Sequence, residues 1–188
     1  MPHLVCGDLD SARPEVCRFF SNEGCSLKHI TDQDTTDFMK VMLQTTEQLT
    51  LLPEQHVCYL SIKGYSCSQA SVYVLGGFGG RFDHVLANIN VAHNTKFQQF
   101  HITFVNNGNI TAVLCPGRHI FQFPTQNHIC GLIPVAGPVT VSTKGLKWDV
   151  SDCTLSMTGM ISTSNQIIQN VVEICCTGHV LFTVELTI

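Results

Sequence analysis

Ser71-Val72-Tyr73-Val74-Leu75-Gly76-Gly77-Phe78-Gly79-Gly80-Arg81-Phe82-Asp83-His84 is the stretch that decides the fold of this chain. The run Ser71 to Leu75 predicts a buried strand, and the glycines after it predict a tight loop. His84 to Asn94 predicts a helix with Val85, Leu86, Ile89 and Ala92 facing inward. Strand, loop and helix in that order form the repeating unit of a parallel sheet covered by helices. The loop stands between strand and helix, where phosphates bind to backbone N–H groups. It is not a Walker A loop, because no Gly-Lys-Ser/Thr follows, and no glycine stands three positions beyond Gly79 to complete a dinucleotide fingerprint. Arg81 offers a bidentate contact to phosphate or ligand, and Asp83 a contact to a hydroxyl or a metal. The alternative is a tight turn closed by an Arg81–Asp83 surface pair.

Toward the N-terminus the same alternation continues. Leu4-Val5-Cys6 reads as a strand ending at Gly7-Asp8. Pro14 opens a helix that runs through Phe20 and closes at Gly24. Ser26 to Ile30 reads as a strand. Asp34 to Gln48 reads as a helix, with Thr35 or Thr36 as its cap and an apolar stripe of Phe38, Met39, Met42, Leu43 and Leu49. His101 to Val105 is a further strand. In such sheets ligands bind beyond the carboxyl ends of the strands. Gly7-Asp8-Leu9-Asp10-Ser11, Asp32-Gln33-Asp34-Thr35-Thr36-Asp37 and the glycine loop all follow predicted strands, so they are placed to converge on one edge. Asp8 and Asp10, two apart, share one face of an extended segment and can share a hard cation; otherwise Asp10 or Ser11 caps the helix starting near Pro14. Asp34, Thr36 and Asp37 either cap the next helix and offset its dipole or join the cation site. Lys40 is either a solvated partner of Asp37 or a phosphate contact.

The texture changes at the turn Asn106-Asn107-Gly108-Asn109. Beyond it lie short β runs: Ile110 to Leu114, Arg118 to Phe123, Cys130 to Pro134, Val139 to Thr143, Cys153 to Ser156, Val171 to Cys175 and Val180 to Leu186. Turn residues punctuate them, which predicts an antiparallel β-sandwich. The expected organisation is an α/β domain over 1–107, with a parallel sheet and flanking helices, followed by an all-β domain over 108–188. Gly145-Leu146-Lys147-Trp148 carries the single tryptophan, and Ser162-Thr163-Ser164-Asn165 follows. Either the indole stacks a flat cationic heterocycle whose polar edge the hydroxyls hold, or it is a core tryptophan beside a polar turn.

Composition narrows the classes. The 188 residues are 44% hydrophobic, enough for a substantial core. A net charge of −4 argues against bulk nucleic-acid binding, which needs a basic face. No apolar run reaches the roughly 18 residues of a membrane span, and the start lacks the pattern of a secretory signal. The ten cysteines include no Cys-x-x-Cys pair, which argues against a zinc ribbon and for reduced thiols in the cytoplasm. The histidines, His29, His84 and His179 among them, are scattered and form no ligand pattern.

The order of motifs resembles the thiamin pyrophosphokinase family, most closely its animal members. Gly-Asp-x-Asp-Ser at 7–11, Asp-x-Thr-Asp at 34–37, Gly-Gly-x-Gly-Gly-Arg-x-Asp at 76–83, Gly-Leu-Lys-Trp at 145–148 and Ser-Thr-Ser-Asn at 162–165 carry the resemblance from about residue 4 to the end. It implies an α/β catalytic domain, a β-sandwich and a homodimer with active sites between subunits. It implies transfer of the pyrophosphoryl group of ATP to the thiamin hydroxyl, giving thiamin diphosphate and AMP. Asp8, Asp10 and Asp37 would bind Mg²⁺ and the ATP phosphates. Gln33 and Thr36, with Gly79 and Gly80 of the loop, would line the nucleotide side. Arg81 and Asp83 would lie near the transferred group and thiamin, with Asp83 or Asp37 accepting the hydroxyl proton. Trp148 and Ser162, with Ser164 and Asn165, would contact thiamin from the partner's sandwich. In the family a further strand–helix portion with an Ala-Asp-Gly-Gly-Ala-type loop precedes the first aspartate motif, whereas here six residues precede Gly7. The expectation is therefore an N-terminally truncated α/β domain. A non-catalytic remnant that binds thiamin and dimerises is the alternative, and another Mg²⁺-dependent nucleotide-utilising enzyme is a third reading.

Overall fold

The computed structural model describes residues 1–51 and 70–186. His56, Cys58 and Cys67 lie outside the described residues, as does the side chain of Leu49. The chain forms two compact units, Met1–Val57 and Cys58–Ile188.

In the first unit, β1 (Leu4–Gly7) pairs in parallel with β2 (Ser26–His29), and helix α1 (Pro14–Asn22) makes the crossover between them. Proline occupies the first turn of α1, where its missing N–H costs nothing. The residue before it, Arg13, makes no side-chain cap, so neither Asp10 nor Ser11 serves as the cap of this helix. Helix α2 (Asp37–Leu51) packs against β1. It starts at Asp37 rather than Asp34. The Asp32 carboxylate accepts the Asp34 N–H at 2.9 Å and the Thr35 hydroxyl, a local turn that competes with the helix. Thr36 is the cap, its Oγ1 accepting the Met39 N–H at 3.3 Å. Met42 is the fully buried centre of the apolar stripe, whereas Leu43, one residue and about 100° further round, is exposed.

In the second unit, β3 (Ala70–Leu75) runs parallel to β4 (Phe100–Asn106), with α3 (Phe82–Ala92) and a 3-10 turn (Thr95–Phe97) between them. Val91 and Ala92 are buried, but Leu86, expected inward, is exposed; it lies a step to the side of the Val85–Ile89–Ala92 row. β4 then turns back tightly into β5 (Asn109–Leu114), with Asn106 opposite Asn109. The parallel pair is thus built into a six-stranded mixed sheet of order β10-β7-β12-β5-β4-β3, where β7 is Ile129–Ile133, β10 Ser162–Gln166 and β12 Val180–Glu185. A four-stranded antiparallel sheet of order β6-β11-β8-β9 covers it, formed by β6 (Gly117–Gln122), β8 (Val139–Lys144), β9 (Cys153–Leu155) and β11 (Val171–Cys176).

The sandwich core follows from period-two alternation. Val172, Ile174 and Cys176 of β11 face Leu132, Phe182 and Val184 of the larger sheet, with Val141 and Leu155 completing one cluster. Each such side chain contributes roughly 1.5–3 kcal/mol on burial. Phe182 meets Phe121 across the two sheets, ring centres 4.9 Å apart. β10 was not foreseen, because Ser162–Asn165 has no apolar alternation; its pairing with β7 makes it a strand. Among the described residues no helix is long and apolar enough to cross a membrane.

Candidate active site

The acidic cluster of the first unit is organised by a lysine. Lys40 lies one turn into α2, and its side chain is only 2% exposed. Its ammonium stands 3.5 Å from Asp8 Oδ2 at the end of β1 and 3.4 Å from Asp37 Oδ1 at the start of α2. The Asp8 N–H also donates to Asp37 Oδ1 at 3.4 Å, and the Asp10 N–H to Asp8 Oδ1 at 3.3 Å. The Asp10 amide first, and then the Lys40 charge, hold the Asp8 carboxyl below its ordinary range. Burial pulls the Lys40 ammonium down, but the Asp37 hydrogen bond and the charges of Asp8 and Asp37 outweigh it and raise its pKa. Lys40 is therefore neither a solvated surface partner nor a free cation.

The two carboxylates already hold a positive charge, which bears on whether they suit Mg²⁺. A hard divalent cation takes one or two carboxylates and completes its shell with water and phosphate oxygens, so the Asp8–Asp37 pair has fitting donors. Among the described residues no three His, Cys, Asp or Glu side chains gather as a metal cluster, and Asp10 is tied to the pair through its main-chain N–H on Asp8 Oδ1. Asp10 is exposed, as are Gln33, whose amide reaches the Thr31 carbonyl at 3.5 Å, and Thr36, whose hydroxyl caps α2.

In the second unit the glycine loop links β3 to α3. Gly76, Gly79 and Gly80 take φ of 71°, 154° and 66°, conformations strained for any side chain. The loop is pinned from below. Asn88 donates to the Gly77 carbonyl at 2.7 Å, Asn106 donates to the Phe78 carbonyl, and Phe78 stacks on Phe104 at 4.3 Å. Arg81 and Asp83 form a bidentate pair, Nε to Oδ1 at 3.1 Å and Nη2 to Oδ2 at 2.5 Å, with both side chains exposed. Each holds the other charged: Asp83 lies below its ordinary range because of Arg81, and Arg81 is raised by Asp83. This is the surface-pair arrangement, with both charged groups exposed.

The turn after β8 carries Trp148 outward. Its indole is 56% exposed, so it is not a core tryptophan. Gly145 makes the turn with φ 100°; a Cβ there would lie 2.5 Å from the Val171 carbonyl oxygen. Asp149 ties the turn together, accepting the Gly145 N–H at 2.9 Å, the Leu146 N–H at 3.1 Å and the Thr143 hydroxyl at 2.8 Å. The Lys147 ammonium lies 4.7 Å from the indole centre. Of the Ser162–Asn165 group, Thr163 and Ser164 are exposed and Ser162 is half-buried. Asn165 is buried, and its amide bonds the main chain of Trp148. Sequence reading missed the burial of Lys40 and the role of Asp149; an aspartate closing a glycine turn was the available signal for the second.

Fold and site define a two-part protein, with an aspartate pair bridged by Lys40 on an α/β portion and an exposed aromatic on a β-sandwich. The family model described as thiamin pyrophosphokinase, catalytic domain, matches residues 1–104, and that described as thiamin pyrophosphokinase, vitamin B1 binding domain, matches 118–181. The chain belongs to the thiamin pyrophosphokinase family. Thiamine pyrophosphokinase 3 of Oryza sativa subsp. japonica is 34% identical over 193 residues, covering 98% of this chain and 66% of that protein. Thiamin pyrophosphokinase 1 of Caenorhabditis elegans is 27% identical, covering 98% and 70%. This chain thus spans slightly under two-thirds of the length of the rice protein. The solved structure of thiamin pyrophosphokinase from Candida albicans superposes with a TM-score of 0.84 at 22% identity, over 100% of this chain and 74% of that one, and shares its fold.

Proposed function

We propose that this chain is a thiamin pyrophosphokinase, transferring the pyrophosphoryl group of ATP to the hydroxyl of thiamin and releasing AMP. The observation that carries the reading is that the catalytic and vitamin B1-binding family models match this one chain in order, with the exposed Trp148 inside the second. Asp8 and Asp37, with Asp10 beside them, would hold Mg²⁺ against the phosphates. Bound Mg²⁺ would neutralise phosphate charge, the main requirement of phosphoryl transfer. Gln33, Thr36, Gly79 and Gly80 would line the nucleotide. Arg81 is poised to exchange its carboxylate partner for a phosphate oxygen pair, which frees Asp83. The thiamin oxygen would then bond to the β-phosphorus as the bond from that phosphorus to the bridging α–β oxygen breaks, with AMP leaving. The hydroxyl proton would pass to Asp83 or Asp37. Trp148 would stack the cationic ring of thiamin, with Ser162 and Ser164 beside it.

A homodimer with shared sites belongs to the same proposal. β3, which leads to Arg81 and Asp83, and β10, which carries Ser162 to Asn165, are opposite edges of the six-stranded sheet. Five inter-strand steps separate them by about 24 Å, further than one small ligand reaches. A second copy supplying its sandwich would close the gap, and sedimentation tests it. The buried thiols, with Cys130 pushed up to about 11 by burial, suit a reducing cytoplasm. Incubation with thiamin, ATP and Mg²⁺ should release AMP in equal amount to thiamin diphosphate; a folded sample that binds thiamin and releases none refutes the transferase reading.

A further inference from the structure

Asn165 is 4% exposed, the one buried residue in a strand whose other residues are exposed or half-buried. It follows a break in register. β10 advances three residues, from Ser162 to Asn165, while β7 advances two, from Leu132 to Cys130. The extra residue makes a bulge, and Ser164 within it has φ 56°, a strained conformation for a serine. The bulge re-aims Asn165 inward, beneath the Trp148 turn. There its Oδ1 accepts the Trp148 N–H at 3.1 Å and the Gln166 N–H at 2.8 Å, and its Nδ2 donates to the Trp148 carbonyl at 2.9 Å. The amide grips one residue by both its main-chain groups, while Asp149 grips the same turn from its other side.

We propose that Asn165 is a positioning residue for the thiamin site, holding the Trp148 main chain so that the exposed indole offers a fixed face to a flat cationic ring. The inference rests on the thiamin reading above and gives Asn165 a supporting role in place of ligand contact. A side chain ordered beforehand binds without the entropy loss of ordering it on contact. The Lys147 ammonium over the ring marks that face as one that attracts positive charge. Strain at Ser164 is retained because it delivers the amide to this place.

Trp148 is the only tryptophan, so intrinsic fluorescence reports on this turn alone. The test compares the full chain with Asn165→Ala and Asn165→Asp. Without ligand, Asn165→Ala should raise acrylamide quenching and lower the anisotropy of Trp148. Its thiamin Kd by calorimetry should rise about tenfold, from loss of buried hydrogen bonds, with affinity for a non-hydrolysable Mg–ATP analogue unchanged. Asn165→Asp keeps the two acceptor contacts and should fall between; it carries the comparison if the alanine variant does not fold. Unchanged fluorescence and unchanged thiamin affinity overturn the proposal. Equal weakening of both ligands with a matching loss of melting temperature also overturns it, by reducing Asn165 to a general structural role. A parent chain that does not bind thiamin, with Trp148 still loosened in Asn165→Ala, refutes the thiamin reading and supports the clamp.

Discussion

Replacing Trp148 with alanine removes the ring that the aromatic half of the site depends on. The indole is 56% exposed, so the folded state loses little with it. A tryptophan offers roughly 150–250 Å² for burial, which leaves on the order of 100 Å² for a ligand to cover. At roughly 25 cal/mol per Å² that surface is worth about 2.5 kcal/mol. A cation over the ring adds about 1–2 kcal/mol when desolvated, offset in part because Lys147, 4.7 Å from the ring centre, must give up the same face. The net loss is about 2–3 kcal/mol, a rise in thiamin Kd of about 30- to 150-fold. Calorimetric titration of parent and variant with thiamin reads this directly, with a thermal melt to show that both are folded. A folded variant whose Kd moves less than about threefold would refute the reasoning, since the exposed area alone predicts more.

Asp10→Asn should cut turnover by at least about 100-fold, the usual cost of losing a group that stabilises charge in the transition state, while thiamin affinity changes little; equal losses of both would argue against a phosphate-side role. Gly145→Ala should destabilise the second unit by about 2–4 kcal/mol, because its φ of 100° and the Val171 carbonyl at 2.5 Å leave no room for a Cβ; an unchanged melting temperature would show that the turn adapts. Asp8, Asp83 and Glu173 have carboxyls held below their ordinary range, by the Asp10 amide and Lys40, by Arg81 and by Arg118. Their contribution to stability is complete above the ordinary carboxylate pKa of about 4 and is lost as pH falls through the lowered values, because the unfolded chain binds protons first. Melting temperature should therefore drop from pH 7 to pH 3, and high salt should weaken mainly the share of the Arg81–Asp83 pair, which is exposed on both sides.

The sandwich was legible because short β runs such as Val171 to Cys175 are punctuated by turn residues; the inward facing of Val172, Ile174 and Cys176 came with the structure. The strand–glycine loop–helix order was legible for a similar local reason. The start of α2 was not, since the Asp32 turn outcompetes three helical residues by hydrogen bonds that propensity does not rank. Lys40 reads in sequence as a solvated lysine, and only the fold brings Asp8, 32 residues away, onto its ammonium. β10 was hidden because Ser162–Asn165 owes its strand to β7 rather than to its own pattern. The motif residues were found by type and order; their burial is not legible there, as Asn165, 4% exposed within a polar Ser-Thr-Ser-Asn run, illustrates.

The sheet order β10-β7-β12-β5-β4-β3 has a genetic meaning as well as a geometric one. In the proposed dimer each site draws Arg81 from one chain and Trp148 from the other. A cell expressing one allele with Arg81→Ala and another with Trp148→Ala would make mixed pairs in which one site carries both defects and its twin carries neither. Two impaired alleles would then rescue one another, whereas both substitutions placed in a single allele, alone, would not recover. That asymmetry between trans and cis follows from the placement of Arg81 after one edge strand, β3, and of Trp148 against Asn165 of the opposite edge strand, β10.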